Sequence, residues 1–150
     1  MSVGTVVSQP ISDLNFVKGD SVCIGDSSNP VPVLVIEFWA TWCPPCRASI
    51  PHLTKVQEKF KNVTILGVTY EKGVDKITEF VNGMGDQMNY TVAVDINETA
   101  KNAIFTPSGA RGIPRAFILV KNKIVWSGHP MDEAFETELQ KAVEQADSTA

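Results

Sequence analysis

Val33-Leu34-Val35-Ile36-Glu37-Phe38-Trp39-Ala40-Thr41-Trp42-Cys43-Pro44-Pro45-Cys46 is the stretch whose reading decides the fold. From Val33 to Trp39 it is almost continuously aliphatic, β-branched or aromatic, the pattern of a strand covered on both faces, as in a parallel sheet. Downstream, Ile50, Leu53, Val56 and Phe60 recur at spacings of three and four and form one stripe of a helix from about Pro44 to Lys61. Pro44 and Pro45 suit its first turn, where a missing N–H costs little, and Pro51 is expected to kink it. A strand that delivers a Cys-x-x-Cys pair onto a helix start is a redox arrangement.

Working outward, Val63–Thr69 reads as the next strand, so strand, helix and strand make a right-handed parallel βαβ unit. Val74, Ile77 and Val81 mark a second helix, ended by Gly83 and Gly85. Tyr90–Asp95 is a short strand, and Thr99–Phe105 a helical turn or two stopped by Pro107 and Gly109. Ala116–Val120 and Ile124–Trp126 flank Lys121-Asn122-Lys123, a spacer so short that it demands an antiparallel hairpin. A last helix starts near Asp132, with Phe135, Leu139, Ala142 and Val143 on one face. The expected class is α/β, a central mixed sheet flanked by helices. Residues 1–30 are expected to pack on the core as an extension with one or two edge strands, 31–145 to form the domain, and 146–150 a flexible tail.

The chain has 150 residues, 43% of them hydrophobic, enough for one domain with a real core. Its formal charge of −4 with interspersed signs offers no basic tract for nucleic acid. No apolar run approaches membrane length, so no membrane anchor is evident. Met1-Ser2-Val3-Gly4 lacks the basic and apolar regions of a secretory signal, which makes the cytoplasm the expected location, with export the alternative if a signal has been removed. A monomer is expected.

Cys43 and Cys46 are the natural pair of three cysteines and leave Cys23 over, a half-buried and inert thiol or, alternatively, a resolving or regulatory one. A zinc site needs further ligands, and Cys23, His52 and His129 stand in no second ligand pair, so neither metal nor cofactor is expected. A structural disulfide closing so small a loop stabilises little. Thiol–disulfide exchange remains. Cys43 falls at the exposed N-terminal edge of the helix, where free N–H groups favour its thiolate, and Cys46 lies one turn deeper. Cys43 therefore attacks a substrate disulfide and Cys46 resolves the mixed disulfide. Pro44 and Pro45 stiffen the loop and offer the Cys43 sulfur no N–H, which favours a reducing protein over a strong oxidant.

Glu37 interrupts the apolar strand, either as a surface charge on an edge strand or as a buried acid beneath Cys46 that takes its proton. Arg111-Gly112-Ile113-Pro114 precedes a strand, either as a trans-proline turn or with a cis bond that turns the Ile113 backbone toward the cysteines, where it can hold an extended substrate. Trp42 reads as part of a flat apolar docking patch, with Pro44, Pro45 and Ile113 as its substrate-contacting neighbours. Trp39 is either core or a shield for the active surface, and His52 and His129 read as surface histidines.

Phe38-Trp39-Ala40-Thr41-Trp42-Cys43-Pro44-Pro45-Cys46-Arg47, with Pro51 and the Arg111–Pro114 loop, resembles the active-site signature of the thioredoxin superfamily over about residues 31–145. The Pro-Pro spacer and the segment 70–105 are similar to the TlpA/ResA-like branch, which carries an inserted strand–helix element and an N-terminal extension. That resemblance implies a thiol–disulfide reductase with Cys43 as nucleophile, Cys46 as resolving thiol, Glu37 as buried acid and Pro114 as cis-proline. Glu37 stands where thioredoxin itself usually has Asp. The implied partners are a disulfide-containing protein substrate and an external thiol reductant. The branch is often membrane-tethered or periplasmic, whereas no anchor is evident here. Two other readings compete. A peroxiredoxin-type thiol peroxidase shares the fold, but its Thr-x-x-Cys setting fails because Thr41 is two residues before Cys43. A non-enzymatic thioredoxin-fold adaptor would bind through its apolar face and leave the cysteines idle.

Overall fold

The computed structural model describes residues 2–148. In chain order its elements are strands β1 (Asn15–Lys18) and β2 (Val33–Phe38), helix α1 (Pro44–Lys59), strand β3 (Thr64–Thr69), helix α2 (Val74–Met84), strands β4 (Thr91–Val94), β5 (Arg115–Val120) and β6 (Lys123–Gly128), and helix α3 (Glu133–Ser148). The strands form one six-stranded sheet in the order β1-β4-β3-β2-β5-β6. Strands β2, β3 and β4 are parallel, and β1, β5 and β6 join antiparallel.

Strand β2 is an interior strand and every one of its residues is buried, which is why its sequence does not alternate. Val33 and Val35 face a core shared with Ile50 and Leu53 of α1, Ile77 of α2 and Leu139 of α3. Leu34, Ile36 and Phe38 face a second core, built with Val7, Ile11 and Ile24 of the N-terminal segment and with Ile104 and Phe105. The helices thus cover one face of the sheet and the N-terminal segment covers much of the other.

Several local features depart from the sequence expectation. Within 1–30 the expected one or two edge strands come to one, β1 beside β4, while Ile11 and Ile24 pair only as an isolated bridge and Cys23 is in no strand. Helix α2 runs through Gly83, which is exposed with open space around it, and stops at Gly85, whose φ of 53° leaves helical geometry. The segment after β4 winds into a π-helical turn, Lys101–Phe105, begun by the Asp95 carboxylate accepting from the N–H groups of Ala100 (3.1 Å) and Lys101 (2.8 Å). Pro107 does not stop it. Proline fits the first turn of a 3-10 segment, Thr106–Ser108, and Gly109 at φ 76° ends it. The β5–β6 turn needs only Lys121 and Asn122, both at positive φ, the mirror-image turn that matches strand twist. Helix α3 continues to Ser148 because Ala146 is buried, so the expected tail is helical over 146–148, and 149–150 lie outside the described residues.

Packing also restricts Gly67 beneath the site. A Cβ on Gly67 of β3 would stand 3.1 Å from Nε1 of Trp39 and 3.2 Å from Cε1 of Tyr90, and both rings are buried. Gly67→Val is expected to lower unfolding stability by about 1–3 kcal/mol, read from the urea midpoint, with Gly67→Ala milder. An unchanged midpoint for the valine variant would mean that the two rings give way freely.

Candidate active site

From the end of β2 the chain runs through Trp39-Ala40-Thr41-Trp42 and enters α1 at Cys43, its N-cap residue in extended geometry. Cys43 and Cys46 form a disulfide with Cα atoms 5.2 Å apart. Pro44 and Pro45 fill the first two helical positions and have no N–H to donate. The Cys46 N–H reaches the Cys43 sulfur at 3.3 Å, and the Arg47 N–H bonds instead to the Cys43 carbonyl at 3.0 Å. The supply of amide hydrogens to the Cys43 sulfur is thus small for a helix N-terminus.

Cys43 departs from the expectation of an exposed sulfur. It is 4% exposed and Cys46 fully buried. In the disulfide the Cys43 sulfur is turned in toward Cys46 and lies 3.7 Å from the carbonyl oxygen of Ile113. It borders a groove of about 460 Å³ that Cys43 shares with Pro44, Pro45 and the 111–113 loop. The Ile113–Pro114 peptide bond is cis, the alternative left open by the residues alone, and Ile113 stands directly against the cysteine pair. Trp42 is 66% exposed on the rim, whereas Trp39 belongs to the core.

Glu37 is not an edge charge. Its register partners are Gly67 on β3 and Ala116 on β5, so it sits in the middle of the sheet and is wholly buried. Burial pushes its pKa up to about 8, with the Ser49 hydroxyl opposing weakly. That hydroxyl donates to the Cys46 carbonyl at 2.8 Å and lies 3.4 Å from Glu37 Oε2, so Ser49 joins the acid to the backbone of the deeper cysteine. The other carboxyl oxygen has no partner among the described residues, and neither have Trp39 Nε1 and the Tyr90 hydroxyl. Burial, and secondarily the Glu37 charge, raise the Tyr90 pKa well above its ordinary value.

Sequence reading missed Ser49, Tyr90 and Glu71. Glu71 accepts from the Thr41 N–H (2.8 Å) and the Thr69 hydroxyl (3.0 Å) through one oxygen, and from the Thr41 hydroxyl (2.8 Å) through the other. It ties the end of β3 to the loop that carries Trp42 and Cys43. Only Ser49 carried a signal, a polar residue one position from the buried stripe of α1. His52 is half-buried near the Phe135 ring and His129 is exposed. Cys23 is half-buried, with its pKa raised by desolvation and then by Asp26. No group of three or more His, Cys, Asp or Glu side chains among the described residues is arranged to hold a metal ion.

A family model, that of the AhpC/TSA family, matches residues 14–127. The chain belongs to the AhpC/TSA family. Among curated proteins it is similar to the thiol:disulfide interchange protein DsbE of Pasteurella multocida, 29% identical over 141 residues that cover 89% of this chain and 72% of that one. It is also similar to DsbE of Vibrio cholerae, 27% identical over 99 residues, covering 66% of this chain and 50% of the relative. The chain thus spans only half the length of the Vibrio protein. The thioredoxin domain of a thiol-disulfide oxidoreductase from Bacteroides vulgatus superposes with a TM-score of 0.74 at 21% identity, covering 95% of this chain and 99% of that one. A secreted disulfide oxidoreductase of Mycobacterium tuberculosis superposes at 0.65 with 19% identity, covering 93% and 96%.

The fold is thioredoxin-like, and within the superfamily the chain groups with the DsbE/ResA/TlpA-like thiol-disulfide oxidoreductases. The Cys43–Cys46 disulfide is an arrangement that can carry thiol-disulfide exchange. The AhpC/TSA match lends more weight to the thiol-peroxidase alternative than to the narrower reading of a protein disulfide reductase. The expected cytoplasmic location is corrected. The finding that overturns it is the likeness to DsbE- and ResA-type proteins, a secreted oxidoreductase among the similar structures, whose setting is periplasmic or exported. The cytoplasmic expectation rested on the first four residues, which carry no information on the compartment. Among the described residues no helix is long and apolar enough to cross a membrane.

Glu37 makes stability fall with rising pH. Its acid form is favoured in the folded protein, so between about 4.5 and about 8 the native state holds a proton that the unfolded chain has released. Stability present below that window is lost through it, by an amount on the order of a few kcal/mol. In the oxidised protein Glu37→Gln should therefore gain on the wild type steadily across this window in urea unfolding. A stability difference that stays constant with pH would show that Glu37 is ionised throughout.

Proposed function

We propose that this chain reduces disulfides of protein substrates and is itself recharged by an external dithiol. The observation that carries this direction is the N-cap. With prolines at the two following positions, the Cys46 N–H is the contact that stabilises a Cys43 thiolate. A thiolate stabilised so little leaves the dithiol form of the pair without the advantage that makes strong oxidants. In the cycle, the Cys43 thiolate attacks one substrate sulfur and expels the other as a thiolate. Cys46 then gives its proton to the Glu37 carboxylate and attacks the Cys43 sulfur, releasing the second substrate thiol. The substrate gains two electrons, the Cys43–Cys46 disulfide forms, and the external dithiol returns those electrons. A carboxyl with a pKa near 8 is close to its ideal as a base near neutral pH.

The family match favours one second reading, peroxide reduction. The Cys43 thiolate would take one oxygen of a peroxide and become a sulfenic acid, with release of water or an alcohol, and Cys46 would condense with it to the same disulfide. Against this, the Thr41 hydroxyl is already held by Glu71.

Cys43→Ser is expected to abolish insulin reduction with dithiothreitol, and Cys46→Ser to accumulate a mixed disulfide visible by mass spectrometry. Glu37→Gln should slow resolution of that species by about 10²-fold and remove its pH dependence near 8. Equal activity in the two cysteine variants would sink the assigned roles. Rapid, saturable peroxide consumption without insulin reduction would select the peroxidase.

A further inference from the structure

The groove that leads to Cys43 is apolar along most of its length. Trp42, Pro45, Tyr70, Phe105 and Ile113 line it, and Arg111 is the one charged residue at its wall. Arg111 is exposed and makes no ion pair or hydrogen bond with another described residue. The acids nearby are engaged. Glu71, in the smaller hollow on the other side of Trp42, has both oxygens bonded to Thr41 and Thr69. Glu98 is paired with Lys72 and Lys101, and the Lys101 ammonium sits 5.0 Å above the Tyr70 ring. The N-terminus of α1, with its positive end, opens on the same groove at Pro44 and Pro45. At this groove an acidic chain of net charge −4 therefore presents a guanidinium unpaired among the described residues together with the positive end of a helix.

We infer that the groove selects an extended substrate segment in which an acidic side chain flanks the attacked cysteine and reaches Arg111, with an apolar neighbour against Tyr70 and Phe105. This rests on the disulfide-reductase reading and names the substrate class for it. A carboxylate suits the guanidinium because it accepts two parallel N–H bonds in one plane, and the apolar surround strengthens the pair by excluding water. A basic residue at the same place would meet Arg111 and the helix N-terminus with like charge.

The test uses two short peptides, each carrying one cysteine as a mixed disulfide with 2-mercaptoethanol, identical except for Glu or Lys beside that cysteine. Reduction by the dithiol form of the protein is followed by stopped flow, with uncharged hydroxyethyl disulfide as reference. The Glu peptide is expected to react about tenfold faster than the Lys peptide, with the ratio shrinking as salt is raised. Arg111→Gln should bring the ratio close to one, and Arg111→Glu should invert it. Equal rates for the two peptides in the wild type, or an unchanged ratio in both variants, would overturn the inference. Failure to reduce hydroxyethyl disulfide at all would instead overturn the reductase reading beneath it.

Discussion

A carboxyl group lies at the centre of the sheet with no cation beside it among the described residues. Glu37 is surrounded on its own layer by Gly67 and Ala116, the smallest side chains available, and α1 closes over it from the helical face. An isolated charge in such a place is costly, and the protein meets that cost by holding the proton rather than by supplying a counter-ion. Much of the site follows from this. Position 67 cannot carry a side chain without pressing on Trp39 and Tyr90. The polar tips of those two rings, like the free carboxyl oxygen, are left without partners among the described residues. Ser49 is placed where a hydroxyl can touch both the acid and the carbonyl of Cys46.

The pair of cysteines divides the work by depth. Cys46 faces inward, on the same helix face as Ile50 and Leu53 and one turn above Ser49. Cys43 is the helix cap, and its sulfur borders the groove at the 111–113 loop. The loop before it has no freedom to wander. Trp39 is pinned to β3 by its N–H on the Val68 carbonyl at 3.1 Å, and Thr41 is held by Glu71. In the proposed cycle, a nucleophile that meets a polypeptide from outside and a thiol from inside needs a fixed position between them. The two hydrogen-bonded anchors and the cis peptide at Ile113–Pro114 supply the walls on either side.

The sheet, the helix order and the Cys-x-x-Cys placement were legible because they rest on periodicity. The almost continuous apolar run of β2, the three-and-four spacing of α1 and the short hairpin connection between β5 and β6 are each set by neighbours close in sequence. What sequence reading missed depends on pairs far apart. Thr41 and Glu71 are 30 residues apart, and Cys43 and Ile113 are 70. Nothing in the local pattern around Glu71 distinguishes it from a solvated surface acid. Glu37 was the intermediate case, because an acid in an apolar strand is conspicuous but its burial requires knowing that β2 is interior. The exposure of Cys43 was misjudged for a related reason: helix position was legible, whereas the loop that covers the sulfur comes from another part of the chain. The length of α2 and α3 was misjudged where a single residue decided it, an open site at Gly83 and a buried Ala146.

Peroxide reduction and disulfide reduction share a nucleophile and a resolving thiol, so the cysteine pair does not separate them. The approach to the sulfur does. A peroxide is small and polar, and a site made for it gains from a narrow pocket with donors aimed at the breaking O–O bond. Here the sulfur is approached along an open groove of about 460 Å³, walled by proline, tyrosine, phenylalanine and isoleucine, with an indole standing 66% exposed at its rim. Aromatic surface left in water next to a reactive group is an arrangement for docking a polypeptide, because a large flat side chain buries area at little entropic cost. The amide donors nearest the sulfur are scarce, since two of the first helical positions are proline. An oxygen leaving group would find little to stabilise it there, whereas a departing thiolate, the better leaving group of the two, needs less help. The architecture around Cys43 therefore suits an exchange between sulfurs more than the cleavage of an oxygen–oxygen bond.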